Sequence, residues 1–600
     1  MNIPRQFYGV NYLSRLIENF KDFEQTECPK VEYHTIHSGC DIPLNRKKTY
    51  ELSLNASCIS KFIQDVTTNR MCALDGIAMC SGENLVFSEY RLPYTKSNPH
   101  ITNSTCKTIV AIATMFAISE NLIKEDDTVL SFFPEYETVL TSKYMKQTTI
   151  YHLLTMTSCS KCNEVASVTE KDWVKAFLLS DCQYEPGSQF IYNSMNTYML
   201  AAILVKVTGH SLMEYLEERL FKPLNINDLK WELCPKGIER GGWGLHLSLD
   251  GMLKIGLFLA NDGSFHGKQL IHPSFIRKMK SLHVKQDVDQ LSTGYGYQLW
   301  HLPNSLYMLS GMYGQHVIID EQHKIVIATN AHNDKMFPDS ILVKKIMDLL
   351  MDASLHQPAS HILENINYQY LMNQLDAFKK GYNLSLYTKK TLYTHYCLGE
   401  QKKNKLAIQQ FIDCCWKFEN KRLHVDHASF KLFPYLLQGM YQYPPFHVTD
   451  VVFRLTDSTW KLCFFKEKAK KSSTEQREKI ILEAGICTYH TQTVQIGDDK
   501  RILAVKGYLA KDEDQHDVMM LDIVFPDAGF SRIIKLFLLE DRIGIECLEY
   551  PDIRGIVNQV IYGETVLAGT KIDLSDKLPQ NVRVLLEQKV EPRLNGYLIN

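Results

Sequence analysis

Residues 101–123, ITNSTCKTIVAIATMFAISENLI, place a hydroxyl and an ammonium group just ahead of a long apolar run. The run is apolar on nearly every side, which predicts a helix over residues 104–123 that is buried all round. Ser104 and Lys107 stand one turn apart at its start, where free N–H groups and the helix dipole favour a developing oxyanion. A serine hydroxyl is a poor nucleophile without a proton acceptor, and Lys107 is a candidate part of that acceptor.

Two later segments carry groups that would complete such a site. In FIYNSMNTYMLAAILVKVTGHS (190–211), Tyr192 and Ser194 immediately precede a second largely buried helix that a glycine ends. A phenol beside an ammonium group has its ionised form stabilised, so Tyr192 could take the proton from Ser104. In LSGMYGQ (309–315), a strand ends in small residues whose backbone could approach a substrate and donate an N–H to an oxyanion.

Length and composition are those of an ordinary globular protein. The 600 residues exceed what one hydrophobic core usually supports, which favours two domains, and 45% of them are hydrophobic. With 66 basic and 68 acidic residues, the chain has no charge excess that would indicate a nucleic-acid or membrane-surface partner. A small molecule or a peptide is the expected partner, and homo-oligomerisation is left open.

The start of the chain has no uninterrupted apolar segment after basic residues, and no apolar stretch of about 18 or more residues occurs. We therefore expect a cytoplasmic protein without membrane insertion, whose 16 scattered cysteines are reduced thiols. Cys159 and Cys162 form a C-x-x-C pair, but no second ligand pair follows nearby, so no metal and no cofactor are expected. Cys106 is expected to be an inert small hydrophobe in the helix packing.

Patterning divides the chain near residue 360. Up to there, helical and strand-like stretches alternate without regular β–α–β spacing, as in an α+β domain. Residues 73–90 predict two strands joined by the turn SGEN, and residues 305–332 predict two strands joined by the turn EQHK. Strands at both ends with helices between them predict one antiparallel sheet, flanked by helices, over residues 1–360.

Residues 361–600 differ in character from the first part. After a helical stretch, the chain runs through many short β-rich segments such as DVVFRLT, ILAVKGYLA and VMMLDIVF, with turn residues between them. Regular short strands of this kind predict a small barrel or sandwich. This accessory domain carries no recognisable catalytic motif, and the sequence leaves its role open.

In this order, the N-S-T-C-K, Y-N-S and L-S-G segments resemble the S-x-x-K, S/Y-x-N and K-T-G elements of the serine β-lactamase and penicillin-binding-protein superfamily. The tyrosine indicates the class C β-lactamase-related branch of serine hydrolases, which includes D-alanyl-D-alanine carboxypeptidases, D-aminopeptidases and esterases. Residues 151–158, 241–271 and 294–300 are similar to this branch as well. The resemblance covers about residues 65–350 and implies a β-lactamase/transpeptidase-like fold for the first domain.

The resemblance also implies roles for single residues. Ser104 would be the nucleophile that becomes acylated, Lys107 its activating partner, and Tyr192 the general base that later serves as the acid. The oxyanion would lie between the backbone N–H groups of Ser104 and Met312. The other residues expected to line the oxyanion and substrate site are Ser194, Ser310, Gly311 and His316.

Two positions depart from the family's pattern. Ser194 stands where the family usually has asparagine, so an amide donor to the substrate is lost. Leu309 stands where a lysine or histidine usually precedes the small residue and the glycine. That cation commonly engages the carboxylate of β-lactams and D-alanyl peptides, and an isobutyl group cannot do so. A true β-lactamase is therefore disfavoured, and uncharged or differently shaped amides and esters are favoured.

The resulting hypothesis is a serine hydrolase that cleaves a D-amino-acid peptide, an amide or a small ester through a Ser104 acyl-enzyme. The alternative is a noncatalytic, penicillin-binding-like protein that binds or senses a ligand. Replacement of Ser104 or Lys107 separates the two hypotheses, because only an enzyme has turnover to lose.

Overall fold

The computed structural model describes residues 31–39, 41–69, 71–162, 170–182, 184–285, 291–333, 341–381, 401–419, 421–425, 430–434, 446, 448–456, 459–466, 479–496, 499–512, 515–538, 542–551 and 593–599. The α-helices of these residues are α1 (Ala56–Thr68), α2 (Cys106–Ser119), α3 (Lys143–Gln147), α4 (Ile150–Leu154), α5 (Trp173–Leu178), α6 (Ser194–Thr208), α7 (Leu212–Leu216), α8 (Leu249–Ala260), α9 (Pro273–Lys280), α10 (Ile341–Met351), α11 (His361–Lys379) and α12 (Gln401–Trp416).

The strands of the first part are β1 (Tyr33–His37), β2 (Asn45–Arg46), β3 (Leu74–Ser81), β4 (Asn84–Tyr90), β5 (His100–Ile101), β6 (Asp228–Glu232), β7 (Leu245–Leu247), β8 (Ser264–Phe265), β9 (Lys268–Gln269), β10 (Val284–Lys285), β11 (Gly294–Tyr295), β12 (Trp300–Leu302), β13 (Leu306–Gly311), β14 (Gln315–Asp320) and β15 (Ile325–Ala331). Those of the second part are β16 (Arg422–Val425), β17 (Val448–Leu455), β18 (Thr459–Lys466), β19 (Lys479–Ile486), β20 (His490–Ile496), β21 (Asp499–Lys511), β22 (Asp517–Phe525), β23 (Phe530–Leu538), β24 (Ile543–Tyr550) and β25 (Arg593–Ile599).

The first domain is built on a nine-stranded sheet in the order β10-β11-β12-β13-β14-β15-β3-β4-β2. β3 pairs with β15 in antiparallel register, so strands from the two ends of this domain meet in the middle of the sheet. Helix α1 presents Ile59, Ile63 and Val66, spaced at helical intervals, to one apolar face. Helix α8 packs on the other face, where a Cβ on Gly256 would lie 2.5 Å from the Val326 side chain. The predicted antiparallel sheet flanked by helices is confirmed.

The predicted hairpin with the turn EQHK is confirmed as β14 and β15, but the stretch 305–332 contains three strands rather than the two expected. β13 and β14 form an extra antiparallel hairpin in which Gly311 pairs with Gln315. The chain reverses there because Tyr313 has a φ of 65° and Gly314 one of 103°. A positive φ at a tyrosine is uncommon, and periodicity does not reveal it.

The division near residue 360 stays a prediction. Helix α11 lies just beyond it and packs Leu371, Leu375 and Phe378 into the same apolar cluster as helix α1. Residues 361–379 therefore contact the first domain, although the sequence pattern assigned them to the second.

The second domain is a closed barrel, one of the two architectures that the short strands predicted. Its strands follow the order β19-β18-β17-β16-β25-β24-β23-β22-β21-β20, and an additional parallel pairing of β19 with β21 closes nine of them. The interior is filled by alternate apolar side chains, among them Leu462, Leu482 and Leu521. Helix α12 adds Phe411, whose ring lies edge-on to Trp460 with centroids 5.5 Å apart.

Helices α2 and α6 form the centre of the largest apolar cluster, and both are buried along nearly their whole length. Of the helices that the structure describes, none alone has the length and apolar character needed to cross a membrane. One bent pair, Ser194–Thr208 with Leu212–Phe221, meets those two criteria jointly across a 78° break.

Candidate active site

Ser104 lies in a single 3₁₀ turn, Asn103–Thr105, that leads directly into helix α2. Asn103 has a left-handed backbone with a φ of 48°, which asparagine tolerates better than most residues. The predicted long helix thus begins at Cys106. Ser104 stands at its mouth and is half-buried.

Two threonine hydroxyls hold this turn from either side. Thr102 Oγ1 donates a hydrogen bond to the carbonyl of Leu245 at 2.8 Å, and Thr105 Oγ1 donates one to the carbonyl of Gln315 at 2.7 Å. Both hydroxyls belong to buried residues. The backbone around Ser104 is therefore tied to β7 on one side and to β14 on the other.

Lys107 is 1% exposed, and its ammonium group makes three hydrogen bonds. Nζ donates to Ser104 Oγ at 2.7 Å, to Ser194 Oγ at 2.8 Å and to the carbonyl of Gly242 at 2.7 Å. An ammonium group has three donors, so this arrangement uses all of them. The positive charge lies beside Ser104 Oγ, where it would stabilise an alkoxide or a neighbouring phenolate.

The carbonyl of Gly242 is a partner of Lys107 that the sequence reasoning missed. A Cβ on Gly242 would lie 2.5 Å from the Ser194 carbonyl oxygen and 2.7 Å from Ser194 Cβ, so only glycine fits there. The carbonyl can therefore reach Nζ alongside the start of helix α6. The consecutive glycines of GGWG (residues 241–244) are the signal in the sequence that could have indicated this partner.

Tyr192 lies beside Lys107 in a group of aromatic rings. Lys107 Nζ is 4.9 Å from the centroid of the Tyr192 ring, and the indole of Trp300 stacks on that ring at 5.6 Å with an interplanar angle of 26°. Phe190 and Tyr295 surround Trp300. Within the described part of the chain, Tyr192 makes its contacts through its ring, and no hydrogen bond occupies its hydroxyl.

Cys106 lies within the nucleophile segment but points away from the chemistry. It is fully buried, its thiol donates to the carbonyl of Gly241 at 3.1 Å, and burial raises the pKa of the thiol to about 12. A thiol with that pKa is protonated at neutral pH and is a weak nucleophile. Cys106 is therefore not a candidate nucleophile, and Ser104 stays the predicted one.

The third predicted element, at the end of β13, packs against the nucleophile turn. A Cβ on Gly311 would lie 2.4 Å from the carbonyl oxygen of Thr102, so this close approach requires glycine. Asn103 Nδ2 donates to the carbonyl of Met312 at 3.2 Å, which places Met312 next to Ser104 in space. Leu309 is 1% exposed and packs in the core with helix α2, so it fills no position at the mouth of the site.

Ser310 and His316 face each other across the β13–β14 pair. Ser310 Oγ and His316 Nδ1 are 3.3 Å apart, and His316 is 1% exposed. Burial lowers the pKa of His316 to about 4, so its ring is neutral at physiological pH. A substrate-binding role for these two residues stays a prediction.

The buried ring of His316 predicts a loss of stability in mild acid. Its folded pKa of about 4 lies below the ordinary value of about 6.5, so between these pH values only the unfolded chain takes up the proton. The contribution of the neutral His316 ring to the free energy of unfolding is complete above pH ~6.5, and it declines by about 3 kcal/mol as the pH falls to ~4. Urea unfolding followed by tryptophan fluorescence at several pH values in this range measures it.

His316→Gln should flatten this pH dependence, whereas His210→Gln, at an exposed histidine, should leave it unchanged. Equal slopes for wild type and His316→Gln would mean that the ring titrates as freely in the folded state as in the unfolded chain.

Comparison with known proteins finds one family for the first domain. The family model named Beta-lactamase matches residues 76–345. A β-lactamase from Escherichia coli (strain K12) is 25% identical to this chain over 154 residues, which are 25% of this chain and 40% of that protein. The alignment thus spans less than half of that curated relative.

Solved structures give matches of low identity. A protein assigned as a 6-aminohexanoate-dimer hydrolase from Bacillus anthracis is 19% identical, with a TM-score of 0.45 over 59% of this chain and 97% of that chain. A penicillin-binding protein from Bacillus halodurans is 17% identical, with a TM-score of 0.39 over 48% and 98%. An octameric penicillin-binding-protein homologue from Pyrococcus abyssi is 14% identical, with a TM-score of 0.39 over 80% and 97%.

The matched region contains the nucleophile turn, the aromatic group around Tyr192 and the end of β13. These are the segments in which the S-x-x-K, Tyr and L-S-G elements were identified. Residues 76–345 of this chain thus match the Beta-lactamase family model, which supports the serine β-lactamase and penicillin-binding-protein superfamily for this region.

Proposed function

We propose that this protein is a serine hydrolase that cleaves an amide or ester bond through an acyl-enzyme on Ser104. The observation that carries the proposal is the buried ammonium of Lys107, 2.7 Å from Ser104 Oγ. Burying a lysine ammonium group costs free energy. Here Ser194 Oγ and the carbonyl of Gly242 hold the group beside a half-buried serine, which indicates that its charge serves the chemistry of that serine.

In the proposed first step, Ser104 Oγ attacks the carbonyl carbon of the substrate while its proton passes to Tyr192. The phenolate form of Tyr192 would be stabilised by Lys107, whose Nζ is 4.9 Å from the ring. The N–H groups of Ser104 and Met312 would bind the oxyanion of the tetrahedral intermediate. Tyr192 then protonates the leaving group, and water hydrolyses the acyl-enzyme through a second such intermediate.

The proposed substrates are uncharged near the scissile bond. Leu309 is buried in the core and supplies no cation for a substrate carboxylate. The half-buried rings of Phe190, Tyr192 and Trp300 stand beside Lys107 and would favour an apolar group over a charged one. Small esters, amides and D-amino-acid amides fit these conditions better than β-lactams or free-acid peptides do.

Labelling with a fluorophosphonate tests the proposal, because this reagent reacts with activated serines. Wild-type protein should gain one adduct by intact mass, and peptide mapping should place it on Ser104. Ser104→Ala should gain none. Ser119→Ala, which removes a half-buried hydroxyl at the other end of helix α2, is the matched control and should be labelled like wild type.

A folded wild-type protein that gains no adduct would contradict the proposal and favour the noncatalytic alternative. In that case, ligand binding without turnover is the activity to measure, and the aromatic group beside Tyr192 is the place to look for it.

A further inference from the structure

The barrel contacts the first domain through a buried carboxylate that the proposed chemistry does not use. Asp527 lies in the turn between β22 and β23, and its side chain is 9% exposed. Its Oδ2 accepts hydrogen bonds from Lys230 Nζ at 2.8 Å and from Arg501 Nη1 at 3.0 Å. Lys230 belongs to β6 of the first domain and Arg501 to β21 of the barrel, so one carboxylate joins both domains.

The charges around Asp527 fix its ionisation state. Burial alone would raise the pKa of this carboxyl, but the positive charges of Lys230 and Arg501 outweigh burial and hold the pKa well below its usual range. Asp527 is therefore ionised at neutral pH. Removal of the carboxylate charge would leave Lys230 and Arg501 without their shared counter-charge, so this contact depends on Asp527.

Tyr33 extends this contact to a third strand. The hydroxyl of Tyr33, on β1, accepts a hydrogen bond from Arg501 Nη2 at 2.8 Å, and its ring lies 5.2 Å from Lys230 Nζ. β1 and β6 are neighbours in the four-stranded sheet β1-β6-β7-β5. The barrel turn is thus anchored to the strands at one end of this sheet.

The same turn completes the other end of that sheet. β5 is its edge strand, and β7 pairs with only one side of it. On the open side, the backbone N–H of Ile101 donates a hydrogen bond to the carbonyl of Asp527 at 2.9 Å. An edge strand of two residues has few hydrogen bonds of its own, and this bond holds β5 on the side that β7 leaves open. Ile101 is followed three residues later by Ser104.

His100, the other residue of β5, lies under the barrel turn as well. A Cβ on Gly529 would be 3.0 Å from His100 Cε1, so the turn sits directly on the imidazole. His100 Nε2, which would lie 3.1 Å from the same Cβ, is also 3.4 Å from Asp75 Oδ2 of β3. β5 is therefore held between the barrel turn and the central sheet of the first domain.

We propose that Asp527 is a positioning residue for the nucleophile. Its side chain ties the barrel turn to Lys230, and its backbone carbonyl holds Ile101, so together they set where β5 delivers Ser104 relative to Lys107. This assigns the barrel a part in catalysis although none of its described residues hydrogen-bonds to Lys107 or to Ser104. It rests on the proposed function of Ser104.

The expected consequence is an effect on kcat rather than on KM. Lys107 and Tyr192 are placed by helix α2 and by the segment before helix α6, whereas the charged groups that act most strongly on Asp527, namely Lys230, Arg501 and His246, belong to neither segment. A loosened β5 would displace Ser104 from these partners, and small displacements of a nucleophile cost up to ~10²-fold in rate. The aromatic group around Tyr192, which would contact the substrate, would stay in place.

The test is Asp527→Asn, which keeps the backbone carbonyl and side-chain shape but removes the charge that Lys230 and Arg501 bind. At a temperature well below unfolding, kcat for a p-nitrophenyl ester should fall about 10- to 100-fold with KM changed less than about twofold. The rate constant for fluorophosphonate labelling should fall by the same factor as kcat. Lys230→Met, which removes the partner from the other domain, should give the same pattern.

The matched control is Asp450→Asn. Asp450 is also a buried barrel carboxylate, paired with Arg422 at 2.7 Å, but both residues belong to the barrel. This variant should lower the melting temperature and leave kcat and labelling unchanged. If Asp527→Asn also lowers only the melting temperature, the positioning role is wrong and the contact is merely structural.

Hydrogen exchange separates failure of this inference from failure of the proposed function. If wild-type protein is not labelled at Ser104, the proposed function fails, but the anchoring of β5 can still be measured. Amide exchange in a peptide spanning residues 99–105 should be faster in Asp527→Asn than in wild type and unchanged in Asp450→Asn. Equal exchange in Asp527→Asn and wild type would overturn the anchoring itself.

Discussion

Replacement of Lys107 by methionine is expected to lower kcat on the order of 10³-fold while the protein stays folded. Methionine keeps most of the apolar stem but removes the ammonium group that donates to Ser104, Ser194 and Gly242. Without that charge, neither the alkoxide of Ser104 nor a phenolate at Tyr192 is stabilised. Steady-state hydrolysis of a p-nitrophenyl ester, with fluorophosphonate labelling as a second measurement, determines the size of the loss.

Lys254 offers a matched control for this experiment. It is also a 1% exposed lysine of the same domain, its Nζ donates to the carbonyl of Asn225 at 2.7 Å, and burial lowers its pKa to about 8. Lys254→Met removes an equally buried ammonium group far from Ser104 and should leave kcat unchanged. Comparable losses in both variants would attribute the effect to the removal of a buried charge in general.

The second large effect is expected for Tyr192→Phe, which removes only the phenolic oxygen. We expect kcat to fall about 10²- to 10³-fold with little change in KM, because the ring that lines the site and stacks on Trp300 is retained. The double variant with Lys107→Met should lose little more than Lys107→Met alone, since residues that act as one unit are not additive. Single-turnover acylation kinetics would show whether the loss lies in the first step.

Tyr295→Phe is the control for Tyr192→Phe. Tyr295 belongs to the same aromatic group, with its ring 6.4 Å from that of Tyr192, but it is buried and has no contact with Lys107 among the described residues. Its phenol should be dispensable for turnover. If Tyr192→Phe retained wild-type kcat, Tyr192 would be part of the substrate wall only, and the general base would have to be Lys107.

The closeness of Tyr192 to Trp300 also bears on specificity. A stacked indole restricts the rotation of the Tyr192 ring and limits what can enter beside Lys107. The same rings that would exclude a charged group would therefore also orient the phenol. Substrate series that vary the size of an apolar acyl group are the natural way to examine this coupling.

The barrel changes how the first domain can be interpreted. In sequence it is a separate block of short strands without a catalytic motif, yet Asp527 and Gly529 lie directly on the strand that leads to Ser104. A protein cut near residue 360 would expose Ile101 and leave Lys230 without its carboxylate partner. Experiments on the first domain alone would therefore not represent the site as it stands in the full chain.

Several features follow from the sequence by itself because they are local. The S-x-x-K spacing brings Ser104 and Lys107 to within about one helical turn of each other, and the apolar run after them can only be stable as a buried helix. The end of helix α6 at Gly209, with its φ of 70°, follows from a glycine in the helix-stop position. The alternation of short strands likewise predicted a barrel or sandwich for the second domain.

Other features depended on contacts between residues far apart in the chain, which no local pattern contains. The carbonyl of Gly242 reaches Lys107 only because helices α2 and α6 pack side by side, and the hairpin at Tyr313 appears only through its backbone angles. The bond from Ile101 to Asp527 joins residues of different domains. The sequence by itself determined the proximity of Ser104 and Lys107 and the elements that carry them; tertiary packing decided what surrounds this pair, because burial and hydrogen-bond partners exist only once distant segments meet.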